Sequence, residues 1–138
     1  MVKTIAVTKQ ENYRTEIRTD PHHFIVDEPI SVGGKDLGPT PGELLAAALA
    51  SCSSITMKMY ADRKGWDLEE AIVEVDFERD LKFTQTSFTK KISFVGNLDE
   101  AQKQKLYEIS GKCPVHRMLT NQIEIQSELI ESQKDFSL

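Results

Sequence analysis

Thr40-Pro41-Gly42-Glu43-Leu44-Leu45-Ala46-Ala47-Ala48-Leu49-Ala50-Ser51-Cys52 is the stretch whose reading decides the fold. Thr40 stands at a helix N-cap, Pro41 at the first helical position and Glu43 three residues after the threonine, which is the pattern of a capping box. Apolar residues then continue through Ile55, Met57, Met59 and Tyr60 until Asp62-Arg63-Lys64, and Gly65 supplies a stop. The reading is a helix roughly 35 Å long at about 1.5 Å per residue, apolar all round through its first half. Such a helix is buried on every side. One domain of 138 residues has trouble enclosing it, and a second subunit could complete the enclosure.

Working outward toward the N-terminus, residues 27–39 contain Pro29, Gly33-Gly34, Gly38 and Pro39 without any period, so they form a loop that feeds the helix. Before it, residues 3–8 alternate Ile5 and Val7 against Lys3, Thr4 and Ala6. Residues 13–19 and 23–26 flank the turn signal Asp20-Pro21-His22, giving an opening antiparallel meander. After Gly65, Ala71, Val73, Val75 and Phe77 alternate with Ile72, Glu74, Asp76 and Glu78. Residues 89–95 repeat the pattern, with Ile92 and Phe94 opposed to Lys91 and Ser93. The two make a hairpin with a long tip over residues 79–88. Asn97-Leu98-Asp99 opens a helix that carries Ala101, Leu106 and Ile109 and ends near Gly111, and Cys113-Pro114 starts a short helix through Leu119. Ile123, Ile125 and Leu129, alternating with Glu124, Gln126 and Glu128, predict a last strand before a polar tail over residues 132–138. There is no internal repeat and no low-complexity tract. The class is α+β, with residues 1–138 as one domain.

A chain of this length buries about two-thirds of its unfolded surface and needs no disulfide staple. The formal charge of −5 comes from acidic and basic residues mixed along the chain, without the basic block that nucleic acid or an anionic membrane wants. Neither is expected as a partner. No apolar stretch of signal-peptide length opens the sequence, and the longest apolar region is interrupted by Ser and Thr, so a soluble cytoplasmic protein is expected. Thiols are kept reduced there, and a disulfide between the two cysteines would be transient.

Those cysteines are the candidate functional residues. Cys52 lies about three turns into the helix, beyond reach of the helix dipole, and needs a nearby cation to react as a thiolate. Cys113 precedes Pro114 at a predicted helix N-cap, where unpaired N–H groups favour a thiolate. Taken singly, either also reads as a small buried hydrophobe. His116 follows Cys113 at C-x-x-H spacing, and His22-His23 sits in the first hairpin. Zinc wants four ligands with two or more close pairs, and only one close pair exists, so no metal and no cofactor is expected. His116 or Arg117 would sit near the thiols and tune them, or face solvent. Met57, Met118 and Phe24 read either as pocket lining or as ordinary packing.

The segment from Pro39 through Cys52, followed 61 residues later by Cys113-Pro114-Val115-His116, resembles the OsmC/Ohr family. Asp27-Glu28-Pro29 with Gly33-Gly34-Lys35-Asp36-Leu37-Gly38-Pro39 resembles its OsmC-like branch sometimes called the YhfA type. The resemblance spans nearly the whole chain. It implies an OsmC-like fold, with antiparallel sheets wrapped around a long central helix in an intertwined homodimer.

It also implies peroxidase chemistry in defence against oxidative stress. Cys52 attacks an organic hydroperoxide and becomes a sulfenic acid, Cys113 condenses with it to a disulfide, and an external dithiol reduces that bond. In the best-studied peroxidase branch of the family, a carboxylate ten residues before the first cysteine helps hold an arginine that activates the thiolate. Here that position is Gly42, with Glu43 beside it, and the first β-turn offers Gln10-Glu11-Asn12 in place of the arginine. Arg14 and Arg18, four apart on the next strand and therefore on one face, are the candidates. Glu43 is either the activating acid or only the helix cap. A different class of function, a non-catalytic stress-related dimer that binds a small apolar or thiol ligand between subunits, would keep the cysteines without their activation.

Overall fold

The computed structural model describes residues 1–131, and the predicted polar tail over residues 132–138 lies outside the described residues. The chain divides into two compact units, one of Met1–Leu44 with the described residues from Gln126 onward, the other Leu45–Ile125.

In the first unit, β1 (Ile5–Thr8), β2 (Thr15–Thr19) and β3 (His22–Val26) form an antiparallel sheet in the order β1-β2-β3. Ile17 pairs with Ala6 on one side and Phe24 on the other. The expected meander is present, with β2 starting one residue after Arg14. The loop that follows holds a short 3-10 turn, Ile30–Val32, and is organised by one carboxylate. Asp27 is buried and accepts from the amides of Glu28 at 2.8 Å, Leu37 at 3.2 Å and Lys35 at 3.3 Å. Burial pushes its carboxyl up, but these amides and the Lys35 charge outweigh that and hold it below its ordinary value. The Asp27 amide also donates to Pro39 O at 3.2 Å, which brings the loop back to the threonine that starts the long helix.

That helix, α1, runs Pro41–Lys64 and stops at Gly65 in the left-handed region with φ 67°. Its capping box is formed: Thr40 N–H donates to Glu43 Oε2 at 2.8 Å, and Glu43 N–H donates to Thr40 Oγ1 at 3.2 Å. By length and composition alone the helix could cross a membrane. In the second unit it acts as a core helix, burying the stripe Leu49, Ser53, Met57 and Ala61 at successive i, i+4 positions. The sequence predicted burial on every side. Within one chain only this stripe is covered, and Leu45, Ile55 and Met59 are 49%, 53% and 61% exposed.

Opposite the stripe lies the hairpin of β4 (Asp67–Arg79) and β5 (Thr86–Asn97), with α2 (Glu100–Ser110) and α3 (Pro114–Thr120) following. Met57, Ala61, Leu68, Leu98, Leu106 and Ile109 make the core, and Ala71, Val73, Ile92 and Phe94 close it from the sheet. The strands are longer than the alternation predicted, so the tip shrinks to residues 80–85. At the other end of the hairpin a bulge between Leu68 and Glu70 hides the start of β4, because it resets the period and lets both Leu68 and Ala71 face inward. Gly96, opposite the bulge, has φ 138°, and a Cβ there would stand 2.1 Å from Asp67 O. α2 is capped by Asp99 and Gln102 in a reciprocal box.

No strand forms over the described residues at 123–129, against expectation. Alternation supplies a face but not a ladder. The pairings among the described residues are β1 with β2, β2 with β3 and β4 with β5, and Ile125 and Leu129 stay 84% and 100% exposed.

Candidate functional site

Three elements of the second unit bring the two cysteines together. Cys52 and Ser53 are neighbours on α1, but the turn of the helix sends them different ways: Ser53 joins the buried stripe, while Cys52 is half-buried at its border. By helical spacing Cys52 shares a face with Leu45, Ala48, Ile55 and Met59. Cys113 is the N-cap of α3 and is fully buried. Both are free thiols, and Cys52 is near enough to Cys113 for each to feel the charge of Lys90 and for Cys52 to help lower the Cys113 thiol.

Around Cys113 the polar contacts are specific. Ser53 Oγ lies 3.4 Å from its Sγ, and the His116 amide donates to the same sulfur at 3.3 Å. Lys90, from β5, donates through Nζ to Ser53 Oγ at 3.3 Å and to the Ser110 carbonyl at the end of α2 at 3.0 Å. Burial pushes the Cys113 thiol up. The hydrogen bonds from Ser53, the His116 amide and Cys52, with the Lys90 charge, more than reverse this and leave it below its ordinary value. Burial pulls Lys90 down, and the Cys113 and Cys52 charges restore only part. His116 is lowered by burial and then by Lys90.

Lys90 places a cation beside the two cysteines, and the sequence reading missed it. The signal was available. Ile92 and Phe94 were read as inward-facing, and the same alternation carried back two residues puts Lys90 on that face. Ser53 had a weaker signal, its i, i+4 spacing from Leu49 and Met57.

The other candidates are placed as follows. Arg14 and Arg18 belong to the first unit, where Arg14 Nη1 is 3.7 Å from Glu16 Oε1 and Arg18 Nη2 is 3.8 Å from Glu16 Oε2. Arg14 precedes β2 instead of lying within it, because the ladder with β1 begins at Thr15. The Glu43 carboxylate accepts from Thr40 in the helix cap. Met57 is a core residue, whereas Met118 and Phe24 are exposed. Among the described residues no group of three His, Cys, Asp or Glu side chains is arranged to hold a metal. A cleft of about 580 Å³ opens beside Lys90, lined by Leu49, Phe88, Lys90, Tyr107, His116 and Leu119 among others, and neither cysteine lines it.

The fold has counterparts among known proteins. A Psychrobacter arcticus protein named for osmotic stress induction and detoxification response shares 26% identity, with TM-score 0.73 over 85% of this chain and 87% of that one. The OsmC-like protein of Mycoplasma pneumoniae is 19% identical, with TM-score 0.74 over 86% of each chain. OhrB of Bacillus subtilis, an organic hydroperoxide resistance protein, is 19% identical, with TM-score 0.60 over 87% and 90%. Among curated proteins no sequence matches. The OsmC family, described as OsmC-like protein, matches residues 33–128, and with that match covering most of the sequence, the chain belongs to the OsmC family.

Proposed function

We propose that the protein is a thiol-dependent peroxidase for organic hydroperoxides, working in oxidative-stress defence. The observation that carries the reading is that Cys52 and Cys113 are both free thiols gathered around the Lys90 ammonium. Cys52 as thiolate attacks the distal oxygen of the hydroperoxide. The S–O bond forms as the O–O bond breaks, and the alkoxide leaves as the alcohol after taking a proton. Cys113 then attacks the sulfenic sulfur, the S–S bond forms and water leaves. An external dithiol restores both thiols. Arg14 or Arg18, with Glu43, is carried in this proposal as the group that activates Cys52.

The working unit is a cytoplasmic homodimer, of the YhfA type and with residues 1–138 as one domain. The apolar face bearing Leu45, Ile55 and Met59 supports the dimer, since apolar residues so exposed on one helix mark an interaction surface. A second subunit there would also shield a Cys52 sulfenate. Membership of a family whose relatives include organic hydroperoxide resistance proteins supports the substrate class.

The test is oxidation of the reduced protein by cumene hydroperoxide. Wild type should lose both free thiols to one intrachain Cys52–Cys113 disulfide, and Cys113→Ser should accumulate a dimedone-reactive sulfenic acid at Cys52. Two free thiols surviving excess hydroperoxide would sink the proposal. They would favour the second reading, a non-catalytic dimer that binds a small apolar or thiol ligand, for which the cleft beside Lys90 speaks.

A further inference from the structure

Lys90 carries a partly buried ammonium, and such a charge needs an anion beside it. Among the described residues no carboxylate pairs with it. The charges it faces are those of Cys113 and Cys52. An ammonium has only protons to give, so Ser53 Oγ accepts from Lys90, and the serine's single proton is free to point at the Cys113 sulfur 3.4 Å away. The His116 amide also donates to this sulfur. With the Cys52 thiol as a further partner, the contacts converging on Cys113 are the set that a thiolate, an acceptor only, would use. A neutral thiol, only a weak acceptor, would hold the Ser53 proton poorly and leave the Lys90 charge without an anion.

We propose that the donor chain Lys90→Ser53→Cys113 holds Cys113 as a thiolate ready for the disulfide-forming step, with Lys90 and Ser53 as positioning residues for that step and the activation of Cys52 left to its own partners. The proposal deepens the peroxidase reading and rests on it for its catalytic meaning. Cys113 then attacks the Cys52 sulfenic acid with no prior deprotonation. The S–S bond forms, the S–O bond breaks, and the departing hydroxide takes a proton from solvent. Because the chain stabilises the reduced form, it also makes the Cys52–Cys113 disulfide easy to reduce.

The test needs no peroxide, so its failure is separate from failure of the peroxidase reading. In a Cys52→Ser background, Cys113 is titrated by its ultraviolet thiolate absorbance. The charged or titratable groups facing it are then Lys90 from β5 and His116 from α3. Lys90→Met and Ser53→Ala should each move the midpoint to higher pH, and Lys90→Arg and Ser53→Thr should restore most of the shift. In the two-cysteine chain, Lys90→Met should move the equilibrium with glutathione about tenfold toward the disulfide, or about 30 mV. A midpoint unmoved by both Lys90→Met and Ser53→Ala in folded protein would overturn the proposal. So would equal shifts in the conservative variants, which would mark a packing effect.

Discussion

Lys90 Nζ donates to Ser53 Oγ across 3.3 Å, joining the inward face of a strand to the buried stripe of a helix 37 residues earlier in the chain. The bond ties a charge to a core hydroxyl, and through it the thiol chemistry and the stability of the fold depend on pH together.

The sign of that dependence follows from two depressed values. Cys113 and Lys90 both lie below their ordinary ranges in the folded chain, so each binds fewer protons folded than unfolded between the two values. Stability of the reduced protein therefore rises with pH through that window. The Cys113 share is lost as pH falls through its folded value and is complete above its unfolded value near about 8.5. Thermal melts of reduced wild type between about pH 6 and about pH 9 should show Tm climbing more steeply than in Cys113→Ser. Equal slopes would contradict the lowered thiol.

Glu43 can be tested apart from its cap. Gln at that position can still accept from Thr40 N–H, so Glu43→Gln should keep the stability of wild type within about 0.5 kcal/mol. Thr40→Ala removes the other half of the box and should cost about 1 kcal/mol in urea unfolding. Hydroperoxide consumption by Glu43→Gln then reads the carboxylate's charge alone, and an unchanged rate would remove Glu43 from the catalytic set.

Two glycines with positive φ should respond differently to alanine. At Gly96 the new methyl meets Asp67 O at 2.1 Å, whereas at Gly65, with φ 67°, nothing lies within 4 Å. Gly65→Ala should cost about 1 kcal/mol, the strain of the left-handed conformation alone. Gly96→Ala should cost about 3 kcal/mol or more, because the bulge must open. Similar urea midpoints for the two would argue against the bulge geometry.

Ile55 is 53% exposed on the apolar face of α1. Ile55→Asp should convert the proposed dimer to a monomer in sedimentation velocity at micromolar concentration, since a buried unpaired carboxylate costs several kcal/mol. A dimer that persists in both Ile55→Asp and Met59→Asp would move the interface off this face.

What was legible in the sequence was local. Thr40, Pro41, Glu43 and Gly65 bound α1, and Asn97-Leu98-Asp99 opens α2, because caps act within one turn of chain. The pairing of Cys52 with Cys113 was reached through the family resemblance. Lys90 was not read, although its strand register was, because a lysine in an alternating strand is ordinarily assigned to water. The full length of β4 was hidden by its bulge, which breaks the period at Leu68-Glu69-Glu70. Ile123 and Ile125 alternate as a strand would, but a ladder partner is a property of the folded assembly and leaves no mark on the segment itself.

The donor chain is drawn from α1, β5 and α3, elements that meet only when the hairpin has closed over the helix. A nascent or partly unfolded chain therefore carries two ordinary thiols and no armed pair. Under the proposed function, reactivity is then a late product of folding, and a chain still being synthesised carries no activated thiol.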